Sequence, residues 1–189
     1  MKNEYLGLAK YYDEMTTNGY YDFKQLAKKI SIMIEEQSQI LDIGVGTGEL
    51  IKEILQLKSY KFTGIDFSKK MIDQARVKLS KQNVKLVCQD LLIFKPEQPF
   101  DIVLSCGGVL YYVRGHEEDR LYSHIAGFER NRILIEKLYN MLKKGGKLVF
   151  SAQGEHVNYD RQLNQDLFYK QELHDENGTL RKWYYFSNA

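Results

Sequence analysis

The chain is predicted to be an α/β protein built on a doubly wound parallel sheet with helices on both faces. Three observations predict it. Short apolar runs alternate with amphipathic runs of helical period from residue 23 to residue 152. The first apolar run ends in glycines at every second position, Gly44, Gly46 and Gly48, in "ILDIGVGTGEL". The run "FDIVLSCGG" is almost wholly apolar, as a strand covered on both faces should be.

The elements follow in order. "FKQLAKKISIMIEE" places Leu26, Ile30, Met33 and Ile34 at helical spacing. "SQILDIG" is the first strand, and "GELIKEILQLK" is a helix through Leu50, Ile51, Ile54 and Leu55. "YKFTGID" is the second strand, followed by the helix "SKKMIDQARVKLSK" with Ser68 as N-cap. "VKLVCQD" and "FDIVLSCGG" are the third and fourth strands. Residues 117–146 read as one long helix with Leu121, Ile125, Phe128, Ile135, Leu138 and Leu142 on one face, stopped by Gly145 and Gly146. "KLVFSA" is the fifth strand, and the predicted order across the sheet is 3-2-1-4-5.

Bulk properties narrow the function. The length, 189 residues, fits a single domain with a real core. Twenty-seven basic residues stand against 25 acidic ones, so no electrostatic footprint for nucleic acid or an acidic membrane exists. No apolar run approaches the ~20 residues of a membrane span, and the N-terminus lacks a signal-peptide core. Cys88 and Cys106 lie in strand-like runs and read as buried thiols in a reducing, cytoplasmic compartment.

In doubly wound sheets ligands bind beyond the carboxyl ends of the strands, where the strand order reverses. The glycine loop leaves the first strand there. Its glycines let the backbone turn sharply and let a ligand approach it. A plain tight turn needs one or two of them, so three in alternation point to a ligand. Asp66, 18 residues after Gly48, ends the second strand. A carboxylate there suits a ribose diol, while its bland role is to favour a helix N-terminus. Asp90 ends the third strand, within reach of an adenine amino group. A nicotinamide dinucleotide is the competing ligand, but its fingerprint is G-x-G-x-x-G and here Thr47-Gly48-Glu49 follows Gly46.

These motifs together resemble a class I S-adenosylmethionine-dependent methyltransferase with its Rossmann-like core. "LDIGVGTGEL" is similar to the family's cofactor loop, "GIDFSKKMIDQAR" to its ribose-binding strand and helix, and "CQDLL" to its adenine contact. "FDIVLSCGGVLYYV" is similar to the strand bordering the active site, and "LKKGGKLVFS" to the fifth strand. The resemblance covers about residues 36–152. It implies S-adenosyl-L-methionine as cofactor, with Asp42, Gly44, Gly46 and Gly48 along its methionine end and Asp66 on the ribose. It places Phe67 and Met71 beside the adenine, Asp90 and Leu91 at its edge, and Cys106 and Gly107 near the sulfonium. In small-molecule members of the family the segment before the first strand is a lid, so Tyr11, Tyr12, Tyr20 or Tyr21 is expected to close over the site, with Tyr11 and Tyr20 on the cofactor. The implied division is an N-terminal lid and helix over 1–35, a cofactor-binding core over 36–152, and an irregular segment with a β-hairpin over 153–189.

Methyl transfer from a sulfonium is an in-line displacement that asks mainly for alignment. Candidate catalytic groups past the fourth strand are Tyr111, Tyr112 and His116, although packing explains the tyrosines and solvation the histidine equally simply. The place of the family's N/D-P-P-Y/F signature reads "SCGGVLYY", and the Asp residues of metal-dependent members are lacking. No metal is therefore expected, and the acceptor is expected to be a small metabolite offering an amine or hydroxyl. Two other readings share these motifs: an enzyme that cyclises or cleaves the cofactor, and a non-catalytic cofactor-binding protein.

The C-terminus departs from the family. Residues 154–166 are polar and read as irregular. "LFYKQELHDENGTLRKWYYFS" alternates at period two on both sides of "DENG", a β-hairpin signature. A five-stranded core lacking the family's final strands is expected, with the hairpin as an excursion near the substrate entrance. An edge fifth strand and an exposed Trp183–Phe186 row would favour a homodimer.

Overall fold

A computed structural model describes residues 8–115, 118–176 and 179–188. The N-terminal segment carries a short helix α1 (Tyr12–Met15) and then α2 (Phe23–Met33), which Asp22 caps by accepting from Gln25 N at 2.9 Å. The core alternates β1 (Gln39–Ile43), α3 (Glu49–Leu55), β2 (Lys61–Asp66), α4 (Lys69–Lys78), β3 (Val84–Cys88) and β4 (Phe100–Ser105). Next come β5 (Leu110–Arg114), β6 (Asp119–Ser123), α5 (Phe128–Asn140), β7 (Leu142–Phe150) and β8 (Ala152–Gly154). The chain finishes with β9 (Tyr159–Asn164), β10 (Leu167–Glu176) and β11 (Thr179–Asn188).

The main sheet has five parallel strands in the order β3-β2-β1-β4-β7, the predicted doubly wound arrangement. Its central strands are apolar because both faces are covered. On β1, Ile40 packs into a core with Ala27 and Ile30 of α2 and Ile51 and Ile54 of α3. Its neighbours Leu41 and Ile43 point the other way, against Leu134 and Leu138 of α5. One-residue alternation thus feeds two cores from one strand. The edge strand β3 is less covered, and Cys88 is exposed rather than buried.

The long helix expected over 117–146 is three elements. Tyr111 of β5 pairs with Tyr122 of β6 in an antiparallel hairpin, so Leu121 lies on a strand. Gly127, at φ +96°, breaks the chain before α5 begins at Phe128. The buried face of α5 is Leu134 and Leu138, while Phe128, 81% exposed, and Ile135 turn outward. Residues 154–166 also hold a strand. On β9, Tyr159, Arg161 and Leu163 are partly or fully buried while Asp160, Gln162 and Asn164 are exposed. That is a period-two pattern whose polar members concealed it.

The C-terminal hairpin forms with Leu167 opposite Asn188 and Glu176 opposite Thr179. It joins β9 in a separate antiparallel sheet, β11-β10-β9, and β7 is left as the edge of the main sheet. The Trp183–Phe186 row divides between faces. Trp183 and Tyr185 are exposed, whereas Tyr184 and Phe186 pack with Leu8, Met15 and Tyr169, so the N-terminal segment covers this sheet's inner face. A third sheet, β6-β5-β8, extends the main one where β5 takes over from β4 beside β8. No helix among the described residues is long and apolar enough to cross a membrane.

Candidate functional site

At the carboxyl end of β1 all three loop glycines are left-handed, with φ of +72° at Gly44, +55° at Gly46 and +81° at Gly48. A side chain there is strained whatever the space. Asp66 ties the loop to β2. One carboxylate oxygen accepts from Gly46 N at 3.0 Å and the other from Ser68 N at 2.8 Å. Ser68 therefore starts α4 without using its own hydroxyl, which is buried and unpartnered. Burial pushes the Asp66 carboxyl up, and its two N–H donors pull it back.

Asp42 has the opposite environment. It is buried on β1 and accepts no hydrogen bond among the described residues. Burial, and then the charge of Asp66, push its carboxyl up to about 8. Of the two carboxyls it is the one that keeps a proton, because nothing donates to it.

A second glycine turn faces the first. It leaves β4 through Cys106, Gly107 and Gly108, clamped by Ser105, whose hydroxyl donates to Leu110 O and accepts from Leu110 N. A Cβ on Gly108 would stand 2.6 Å from Ile43 O, and one on Gly44 would stand 3.0 Å from Gly108 Cα. The backbones of the two turns therefore meet directly, and neither position has room for a side chain. Burial and then Asp42 push the Cys106 thiol up to about 12, so it is inert.

The N-terminal segment lies over both turns. Thr47 Oγ1 donates to Asp13 at 2.5 Å, Lys78 binds Asp13 at 2.7 Å and Glu49 at 2.6 Å, and Glu49 binds Lys52 at 2.7 Å. The ring of Tyr12 covers Gly46, with Cε1 3.6 Å from where a Cβ would be. The hydroxyl of Tyr21 would meet a Cβ on Gly107 at 2.5 Å, and it accepts from Gln153 Nε2 at 3.1 Å. Of the four tyrosines expected over the site, Tyr12 and Tyr21 lie against the glycine turns. Tyr11 stacks on Phe186 of the C-terminal sheet, and Tyr20 packs edge-on to Tyr21.

The remaining candidates divide as follows. Met71 and Leu91 are buried and Phe67 is 42% exposed. Asp90 turns back on its own loop, accepting from Leu92 N at 2.9 Å. Tyr111 and Tyr112 occupy opposite faces of β5. Tyr112 donates to Asp119 at the surface, at 2.9 Å. Tyr111 is buried in a cluster: side by side with Tyr122 and edge-on to His124 at 5.3 Å and His156 at 5.6 Å. Burial and then Tyr122 push the Tyr111 phenol up to about 12. His116 lies outside the described residues.

His124, His156 and Lys182 were missed from sequence. Burial and then the charge of Lys182 lower both imidazoles to about 4, so they are neutral at pH 7. Burial lowers Lys182 to about 8. The only signal was the period-two alternation that puts Lys182 on the inner face of β11. A broader depression of about 620 Å³ lies at the other end of β4 and holds none of these groups. No cluster of metal-ligating residues exists among the described residues.

Comparison with known proteins agrees with this geometry. The family described as "Methyltransferase domain" matches residues 40–131. A malonyl-[acyl-carrier protein] O-methyltransferase of Priestia megaterium is 29% identical over 160 residues, covering 82% of this chain and 51% of that protein. A crystal structure of an S-adenosylmethionine-dependent methyltransferase from Clostridium acetobutylicum superposes at TM-score 0.67 with 18% identity, covering 96% of this chain and 79% of that one. The S-adenosylmethionine-bound structure of CalS10, an amino pentose methyltransferase of Micromonospora echinaspora, superposes at 0.64 with 15% identity, over 94% and 80% of the two chains. The chain spans about half the length of the curated relatives it matches, 44%, 54% and 51% for three of them. The fold is the class I methyltransferase fold. Within it, residues 40–131 are similar to the methyltransferase domain family.

Proposed function

We propose that the protein transfers a methyl group from S-adenosylmethionine to an amine or hydroxyl of a small acceptor. The observation that carries this is the meeting of the two glycine turns, with the buried Asp42 left unpartnered beside them. The residues fit the cofactor. Asp42 suits a ligand ammonium, Asp66 retains free lone pairs for ribose hydroxyls, and bare backbone lines the space between. Phe67, Met71, Asp90 and Leu91 would surround the adenine, and Cys106 and Gly107 would lie at the reacting end. When bound, the cofactor supplies a methyl group already activated on a sulfonium.

The chain's own residues then align and exclude water. Tyr12 and Tyr21 close over the two turns. Tyr111 keeps its proton, so it acts as a donor and not as a base. His124, lowered to about 4, is too weak a base to keep the proton that an ammonium or hydroxyl acceptor must lose, so that proton passes to solvent. The name of one structural neighbour, an amino pentose methyltransferase, supports a small acceptor, and that of a relative, a malonyl-[acyl-carrier protein] O-methyltransferase, supports an oxygen nucleophile.

Two measurements test this reading. Calorimetry should give saturable binding of S-adenosylhomocysteine, with dissociation constant ~0.1 mM or tighter. Mass spectrometry should find methylated product only when an amine or hydroxyl panel is present. Absence of binding refutes the cofactor assignment, and cofactor breakdown without any acceptor refutes methyl transfer.

A further inference from the structure

The inner face of the C-terminal sheet carries two cations with no anion beside them among the described residues. Lys182 Nζ lies 2.7 Å from His156 Nδ1 and 3.4 Å from the Tyr20 hydroxyl, with no carboxylate in ion-pair range among the described residues. A lysine ammonium has only donors, so His156 Nδ1 accepts and the imidazole proton sits on Nε2. That Nε2 is buried and has no partner. Arg161, two strands away on the same face, holds its guanidinium against the backbone of Gly19, at 3.0 Å from where a Cβ would be. Its Nε and Nη2 are also buried and without partners.

The two cations thus flank one turn, Gly19–Tyr20, and the next residue, Tyr21, touches Gly107. Burying a charge without a partner costs a great deal, and leaving donors unpaired adds to it. Lys78, half-buried like these two cations, is paired with both Asp13 and Glu49. Lys182 and Arg161 have no such carboxylate among the described residues, and the groups left over are all donors. The imidazoles of His124 and His156 are neutral and contribute no negative charge. Beside this cluster a cavity of about 340 Å³ opens between β5, β6 and the hairpin, lined by Tyr122, His156, Leu173 and Leu180. Its polar rim holds Glu118, already ion-paired with Arg120, and Glu155.

We propose that Lys182, His156 and Arg161 form an anion-binding subsite of the acceptor pocket, so that the acceptor carries a carboxylate or phosphate which these groups hold while its nucleophile points toward Gly107. This rests on the methyltransferase reading for the direction of the nucleophile, but the anion site stands on its own geometry. Arg161 offers its Nε–Nη2 edge, the fork that binds such groups through two parallel hydrogen bonds. Gly19, at φ +90°, lies against this guanidinium: the three atoms nearest a Cβ built on it all belong to Arg161.

The test uses the full chain loaded with S-adenosylhomocysteine, titrated by calorimetry with inorganic phosphate and, separately, with propionate. At least one anion should bind saturably below ~10 mM, and K182M and R161M should each weaken it about tenfold or more, while K182R retains it. Tighter propionate assigns a carboxylate acceptor, and tighter phosphate a phosphorylated one. Paired acceptors with and without the anion should then differ about tenfold in kcat/KM, a preference that K182M abolishes. If neither anion binds, or if K182M and R161M bind like the wild type, the subsite does not exist. Failure of S-adenosylhomocysteine to bind would overturn the cofactor assignment instead, and the same titrations on the unloaded chain would still decide the anion site.

Discussion

Around the Gly44–Gly48 loop, charged groups are matched to partners. Asp66 takes Gly46 N and Ser68 N, and Asp13, Thr47, Lys78, Glu49 and Lys52 form one continuous chain of contacts. Across the cleft, under the C-terminal sheet, Lys182 and Arg161 have no anion among the described residues and His156 has an idle N–H. The first region is largely matched within the chain. The second is the one we propose an anion completes. The contrast teaches that a binding site can be read from what its groups lack, and Asp42 is the ionisable group on the loop side that lacks a partner among the described residues.

The most severe way to break the matched side is Asp66→Ala. It strips both backbone donors of their acceptor, each loss costing roughly 1–3 kcal/mol. S-adenosylhomocysteine affinity should fall about 100-fold or more, read by calorimetry. A change below about threefold would mean that the loop holds its shape without Asp66.

Asp42 sharpens the comparison through pH. Its folded carboxyl, raised to about 8, stays protonated where the unfolded group has ionised. The folded chain therefore binds the extra proton, and stability of the ligand-free protein should fall as pH rises from about 4 through about 8. Asp42→Asn should flatten that slope in thermal melts. If a ligand ammonium pairs with Asp42, binding at pH 7 should release close to one proton per site in the wild type and none in the variant. Calorimetry in two buffers of different ionisation enthalpy counts it, and equal proton counts would remove Asp42 from the site.

The smallest effect is expected for Tyr112→Phe. Its hydrogen bond to Asp119 is at the surface, so the melting midpoint and the rate of methyl transfer should both stay at the wild-type values. Tyr111→Phe, inside the cluster, should slow transfer while leaving S-adenosylhomocysteine affinity unchanged. Equal rates for the two variants would take Tyr111 out of the acceptor pocket.

Much of the loop side was legible along the chain. Gly44, Gly46, Gly48 and Asp66 lie at strand ends that apolar runs and helical periods mark, and the five-stranded order followed from their alternation. The acceptor side was not. His124 sat in a stretch whose apolar spacing mimicked a helix until Gly127 and the Tyr111–Tyr122 pairing divided it. His156 and Arg161 sat among polar residues that hid the alternation of β9. Which of the four N-terminal tyrosines lie against the glycine turns, Tyr12 and Tyr21, was not legible, because a one-residue rotation in a short helix or turn changes which ring faces the cleft.

What the sequence determined by itself is the local part. Left-handed glycine turns, apolar strand interiors and strand-end carboxylates depend on backbone sterics and on nearest neighbours. What only the tertiary structure decided is which charges go unpaired. That Lys182 meets His156 and Tyr20 but no carboxylate depends on chain segments 26 and 162 residues away being brought together and on acids being kept out. An absence of partners is a property of the surrounding volume, and no stretch of sequence contains it.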